Sequence, residues 1–364
     1  MASITSLKSH AQFLLTPLIK DGEEQQKKKT NNSSSNNKCC SCHEKKYELV
    51  GYDSLPNFLK HNEFILDYYR SEWPLKQSIL SIFSIHNETL NIWTHLIGFL
   101  AFLSLTLCTA MMVPMHLSDT PSMTPWHILN VSNPNIAIQA LQTLVINATT
   151  TSNVELDMAR SITTTTTRWP FYAYLCGAMF CLLMSSACHL LSCHSEHTSY
   201  VMLRLDYGGI TGLIVTSFYP LVYYSFMCDP FYRNLYISFI TVFGVAAVFV
   251  SLVPVFETPE FRLVRAGLFV CMGLSGLVPI IHKVIVFGDR PEAILTTGYE
   301  MVMGLFYGLG VIIYATRVPE RWMPGKFDLA GHSHQLFHVL VIAGAYTHYL
   351  AGLVYLRWRD LEGC

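Results

Sequence analysis

Charged side chains are scarce in this chain. Asp, Glu, Lys and Arg together make up 13% of its 364 residues, about half the ~25% of a soluble globular domain, which excludes a surface wetted all round. Neither sign is in excess: the formal net charge is −1, so a basic face for nucleic acid is absent and no nucleic-acid partner is expected. The N-terminus has only a weak apolar patch, Phe13 to Ile19, followed by Lys20 and Asp21 with no small-residue cleavage site, so no signal peptide is read. The eleven cysteines lack the regular spacing of a disulfide framework, and most are expected to be buried free thiols. The cluster Cys39-Cys40-x-Cys42 beside Lys45 and Lys46 has three readings: palmitoylation, metal binding, or spare thiols.

Apolar residues, by contrast, make up 51% of the chain. Since a spanning helix needs roughly 20 mainly apolar residues, seven spans are expected, at about 89–113, 169–192, 205–225, 232–254, 264–287, 293–315 and 333–357. Asp229-Pro230 and Gly288-Asp289-Arg290-Pro291 supply tight turns between the third and fourth and between the fifth and sixth. The fold class is therefore all-α integral membrane, a seven-helix bundle over 89–357. Around it the sequence implies a disordered cytosolic tail (1–48, with KKKTNNSSSNNK), a juxtamembrane region (49–88), a Thr/Asn-rich loop (114–168) and a short C-terminal tail (358–364). An amphipathic interfacial helix is expected around 73–86, started by Trp73-Pro74.

Lys and Arg near the spans divide almost evenly between the two sides. The lysine-rich tail and the missing signal peptide decide for a cytosolic N-terminus and, with an odd number of spans, an outside C-terminus. Asn130 (NVS) and Asn147 (NAT) then become glycosylation acceptors on the outer side.

Parity brings the end of the second span, the start of the third and the start of the seventh to one face. These carry SSACHLLSCHSE (185–196), RLDYGGI (204–210) and HSHQLFH (332–338). His334 and His338 stand at i and i+4, so their imidazoles share a helix face. His332, two residues away, is expected to turn off it, and His194 and His197 to face water. With His189, the pair forms a three-histidine site whose fourth position is open, the pattern of catalytic zinc. Asp206 and Ser185, the latter one turn before His189, are the candidates to hold or activate the zinc-bound water. The competing reading of each histidine is an interfacial side chain satisfied by water or a carbonyl. Glu88, Asn91, Thr94 and His95 either brace this side of the bundle or, with Trp93, anchor it at the interface. On the far side, Glu300 and Lys283 are expected to pair, and the glycines of the sixth span to permit close packing.

The stretches LPNFLKHNEFIL (55–66), SIFSIHNETLNIWTHLIGF (81–99), CHSE (193–196), LDYGGI (205–210), PERWMPGKFD (319–328) and SHQLFHVLV (333–341) resemble the progestin and adipoQ receptor family. The resemblance is to its adiponectin-receptor-like branch with the plant-type heptahelical proteins, and it covers about 50–357. It implies an N-in bundle with a Zn2+ ion near the cytosolic side, ligands at His189, His334 and His338, and the family's Asp and Ser at Asp206 and Ser185. It also implies a receptor-like response to a hormone, lipid or stress signal. The partners would be a membrane lipid or small hydrophobic ligand and a cytosolic signalling protein reached through the N-terminal tail, in the plasma membrane or an endomembrane. For the adiponectin-receptor branch it further implies zinc-dependent hydrolysis of ceramide-like lipid amides; a binding-only receptor with structural zinc is the alternative. A G-protein-coupled receptor fits poorly, since the last span lacks NPxxY.

Overall fold

The computed structural model describes residues 47–112, 166–251 and 261–364. The tail up to residue 46 with its cysteine cluster, and the first loop with Asn130 and Asn147, lie outside the described residues. What is described is helical: α1 (Leu75–Leu80), α2 (Thr89–Met112), α3 (Trp169–Leu191), α4 (Glu196–Ser225), α5 (Pro230–Ser251), α6 (Arg262–Leu274), α7 (Leu277–Phe287), α8 (Pro291–Thr316) and α9 (Ser333–Glu362). Among the described residues six stretches are long and apolar enough to cross a membrane: α2, α3, α5, the α6–α7 pair, α8 and α9. The α6–α7 pair, expected as one helix, breaks at Ser275-Gly276, where low helix propensity meets Pro279 two residues into α7.

The expected third span differs most. Helix α4 starts at Glu196 because the Ser195 hydroxyl accepts the Thr198 amide at 3.3 Å, a local N-cap. Its 30 residues carry a polar first third and several Gly, Thr and Tyr, so α4 does not count as a span by length and apolarity. The interfacial helix is shorter than expected, α1 plus a 3-10 turn at Ser81–Phe83, but it starts after Trp73-Pro74 and exposes Leu75, Ile79, Leu80 and Phe83. At the other end α9 runs to Glu362, past the expected boundary at 357.

Helix α3 packs between α2 and α4, and α8 lies along α9. On α9 the residues His334, His338, Val341, Ala345, His348, Gly352, Tyr355 and Arg359 recur at alternating steps of four and three, one inward stripe. It meets Phe102, Phe171, Tyr174 and Leu182 of α2 and α3 in the main apolar core. Large apolar side chains on the outer faces of α5 and α8, such as Val242, Phe249 and Leu305, are exposed, as expected where lipid replaces water.

Residues 47–70 form a strap with its own small core of Leu55, Leu59, Ile65 and Tyr69, closed by a β-bridge between Val50 and Tyr69. The connection from α8 to α9 holds it down. The Asp328 carboxylate accepts the amides of Leu66 and Asp67, both at 3.0 Å. Glu320 accepts the Asn62 amide at 3.1 Å and the Ser333 amide at 2.7 Å, and Arg317 pairs with Glu63. Each carboxylate thus ties the strap or the start of α9 to the end of α8.

At the opposite end, Lys283 donates to Glu300 at 2.7 Å and to Tyr355 at 2.8 Å, and the Tyr355 hydroxyl donates to Glu300 at 2.6 Å, all fully or nearly buried. Arg359 caps α4 by donating to the carbonyls of Tyr224 (2.5 Å) and Ser225 (2.8 Å). A disulfide joins Cys228 to Cys364, a correction to the expectation of mostly buried free thiols. Cys181, Cys188 and Cys193 are buried and free, whereas the free Cys108, Cys176 and Cys271 are exposed on helix surfaces.

Candidate metal centre

Two helix ends position the ligand candidates. His189 sits in the last turn of α3, whose terminal carbonyls are held: Arg70 of the strap donates to His189 O at 2.7 Å and Leu190 O at 3.0 Å. His334 and His338 occupy the first two turns of α9, which Glu320 fixes through Ser333. The three imidazoles face one another with ring centroids 5.0 Å (His189–His334), 5.0 Å (His189–His338) and 4.6 Å (His334–His338) apart, and one nitrogen of each lies within 4.8 Å of the others.

This arrangement suits an ion. His189 Nε2 and His334 Nε2 approach to 3.1 Å, close to the roughly 3.3–3.4 Å between two ligands of a tetrahedral centre with bonds of about 2.0–2.1 Å. Three imidazole nitrogens on helix ends are the kind of donor set a zinc site with an open position uses.

Asp206 of α4 lines a cavity of about 230 Å³ together with His189, His334 and Glu88. Ser185, 3% exposed, is buried on α3 behind it, with its hydroxyl near the Asp206 carboxyl. All five expected site residues therefore converge, the three imidazoles on one another and the Asp206–Ser185 pair at the cavity beside them.

Two histidines depart from expectation. His332 does not join the trio but is not turned away from it: as the N-cap of α9 it lines the same cavity, because the residue before a helix is free of helical periodicity. Burial pushes its pKa down. His194 is half-buried, its Nδ1 2.9 Å from the Trp73 carbonyl. His197 is exposed as expected.

Three features of the site were not legible as such. The strap roofs the cavity with Asn62, Ile65 and Tyr69, and projects His61 into it. Glu88, which could equally have been an interfacial anchor, places Oε2 2.8 Å from His189 Nδ1 and accepts the Asn91 amide at 2.6 Å. Burial alone would push the Glu88 carboxyl up; the imidazole and the amide outweigh it and hold it well below the usual carboxylate range. One turn further, Thr94 Oγ1 lies 3.3 Å from His338 Nδ1, and the His95 ring stacks on His338 with centroids 3.6 Å apart at 15°. The one signal in the sequence is the spacing of Asn91 and His95 along one face of α2, with Glu88 just before its start.

Comparison with known proteins agrees with this architecture. The haemolysin-III-related family model matches residues 83–349. Heptahelical transmembrane protein 4 of Arabidopsis thaliana is 58% identical over 352 residues, covering 88% of this chain and 91% of the relative. Heptahelical transmembrane protein ADIPOR3 of Oryza sativa subsp. japonica is 52% identical over 375 residues, covering 88% and 93%. The adiponectin receptor protein of Drosophila melanogaster is 37% identical over 310 residues, covering 84% of this chain and 59% of that protein. The chain is thus a multi-pass membrane protein and belongs to the progestin and adipoQ receptor (haemolysin-III-related) family, in its adiponectin-receptor-like branch with the plant heptahelical proteins.

Proposed function

We propose that this membrane receptor-like protein is a zinc-containing heptahelical bundle that hydrolyses a long-chain, ceramide-like lipid amide in response to a hormone, lipid or stress signal. The observation that carries the reading is the convergence of three imidazoles from two helix ends beside the half-buried Asp206. In this reading α4 also crosses the membrane, as the third of seven spans. The bundle is N-in and C-out, since the disulfide Cys228–Cys364 at the opposite end from the histidines belongs in an oxidising compartment.

His189, His334 and His338 would hold the ion. A bound zinc supplies a water of lowered pKa and polarises a carbonyl. This chain's own residues do the rest. Asp206 accepts the proton released by the attacking water and returns it to the leaving amine nitrogen. Ser185 donates to Asp206 and sets which oxygen faces the cavity. The strap lines the cavity from one side with Asn62, Ile65 and Tyr69.

Metal analysis of purified protein should find about one zinc per chain, lost on His338→Ala and kept on His332→Ala. Asp206→Asn should keep the metal and abolish turnover of a long-chain amide. If the wild type holds zinc and turns over no long-chain amide offered, the protein is a binding-only receptor with a structural ion.

A further inference from the structure

The residues at the start of α2 touch two of the three imidazoles from behind, and their hydrogen-bond inventory determines what each ring can do. Glu88 is a carboxylate and can only accept. At 2.8 Å from His189 Nδ1 it therefore requires a hydrogen there, which leaves the Nε2 lone pair bare and aimed at the trio. Thr94 is less obvious, because a hydroxyl can donate or accept. Its single hydrogen, however, is directed to the Leu90 carbonyl at 2.7 Å, with the Asn91 carbonyl at 3.1 Å as the shared alternative. Towards His338 Nδ1, at 3.3 Å, only its oxygen lone pairs remain. His338 must then also carry its hydrogen on Nδ1 and present Nε2.

We propose that residues 88–95 preset the ligand set: Glu88 and Thr94 lock His189 and His338 in the Nδ1–H tautomer with both Nε2 atoms facing the ion, and His95, stacked on His338, fixes that ring's plane. The inference rests on the metal-centre reading and adds three positioning residues to it. None of them is a ligand; Glu88 immediately precedes α2, and Thr94 and His95 lie in its first two turns. That segment is itself anchored: the Ser186 hydroxyl of α3 donates to the Ile92 carbonyl at 3.1 Å, and the Trp93 indole donates to the Ile82 carbonyl at 2.9 Å. The distance between the backing groups and the rings is thereby set by α2–α3 packing and not by side-chain freedom. Groups that orient imidazole ligands in this way typically contribute 10–100-fold to metal affinity.

The test uses the full chain in detergent or nanodiscs, with zinc affinity measured by competition against a chromogenic chelator and site geometry by the visible absorption of the cobalt-substituted protein. Glu88→Gln keeps the shape but offers an amide that can donate as well as accept, so both tautomers of His189 become available; a 10–100-fold weaker affinity and an altered cobalt spectrum are expected. Thr94→Val removes the acceptor while keeping the branched shape, with a loss of about tenfold, and Thr94→Ser restores it. His95→Phe keeps the stacked face and should bind nearly as well as wild type, whereas His95→Ala should broaden the cobalt bands. If the wild type binds metal and both Glu88→Gln and Thr94→Val match it in affinity and spectrum, the proposal is overturned while the metal centre stands. If the wild type binds no metal, both fall. Should Glu88→Gln fail to fold, the Thr94→Val and Thr94→Ser pair decides alone.

Discussion

The two ends of the bundle bury comparable amounts of polar chemistry and treat it in opposite ways. At the far end Lys283, Glu300, Tyr355 and Thr296 satisfy one another directly, and Arg359 is spent on α4 carbonyls. At the histidine end the Nδ1 atoms of His189 and His338 are committed to Glu88 and Thr94, while their Nε2 atoms point at each other's neighbourhood beside a cavity. A saturated network holds helices in register; a network saturated on one side only is a site waiting for a partner atom. The difference separates structure from function without reference to residue type, since both ends contain a carboxylate beside a cationic or basic group.

That contrast is broken most forcefully at the saturated end. Lys283 is 0% exposed and its salt bridge to Glu300 is wholly enclosed, so Glu300→Ala leaves a buried ammonium without its counter-charge and should cost about 3–5 kcal/mol in unfolding experiments in detergent. The double variant Lys283→Met, Glu300→Leu removes both charges and should recover most of that loss. Zinc content should be unaffected in the double variant. A metal loss there would show that the two ends are coupled, and the division drawn above would have to be abandoned.

A smaller effect is expected from pH, through His86. Its Nδ1 accepts the Glu88 amide at 3.1 Å and its Nε2 donates to the Ser81 carbonyl at 3.2 Å, so this ring links the interfacial turn to the residue behind His189. Burial, with the Arg70 guanidinium adding to it, pushes the His86 pKa down from 6.5 to about 4. Between those values the unfolded chain binds the proton and the folded chain does not. The His86 contribution is therefore complete above about pH 6.5 and lost as pH falls towards 4, on the order of 3 kcal/mol across the window. The thermal midpoint of wild type should fall more steeply from pH 7 to pH 5 than that of His86→Asn, whose amide oxygen can take the place of Nδ1 as acceptor and which has no proton to gain. Parallel curves would remove His86 from the account.

Much of this end of the bundle was legible because periodicity and parity are both sequence properties. The i, i+4 pair His334 and His338 defines a helix face, and an even count of crossings returns His189 to the same depth. The Lys283–Glu300 pair was legible for the same reason, two costly groups on adjacent antiparallel helices. What could not be read depends on contacts between distant residues with no local signature. Asp328 finds the amides of Leu66 and Asp67 across some 260 positions, so the strap looked like a plain juxtamembrane stretch. Cys228 and Cys364 are separated by 136 residues. The start of α4 was missed because apolarity alone begins the span at 205 and passes over the N-cap at Ser195, and His332 because a helix's periodicity says nothing about the residue before it.

The finest test of the histidine end concerns how closely α3 and α4 approach, since that distance sets Asp206 and Ser185 against each other. Two adjacent glycines, three residues and fewer from Asp206, separate the effect of space from that of backbone freedom. A Cβ on Gly208 would meet nothing within 4 Å, whereas one on Gly209 would lie 2.9 Å from the Cys181 Cα, a backbone atom that cannot step aside without moving α3. Both positions are helical, so alanine gains the same helix propensity at each, up to about 1 kcal/mol over glycine. Gly208→Ala should therefore be neutral to slightly stabilising. Gly209→Ala should cost about 1–3 kcal/mol through overpacking, and by forcing the helices apart should slow any turnover that depends on Asp206 while His189, His334 and His338 keep their metal. Thermal unfolding of the two variants side by side reads the packing, and zinc content read on the same samples locates the displacement. Equal midpoints for the two alanines would mean that α3 and α4 do not touch at Gly209, and the register that brings Ser185 to Asp206 would lose its physical basis.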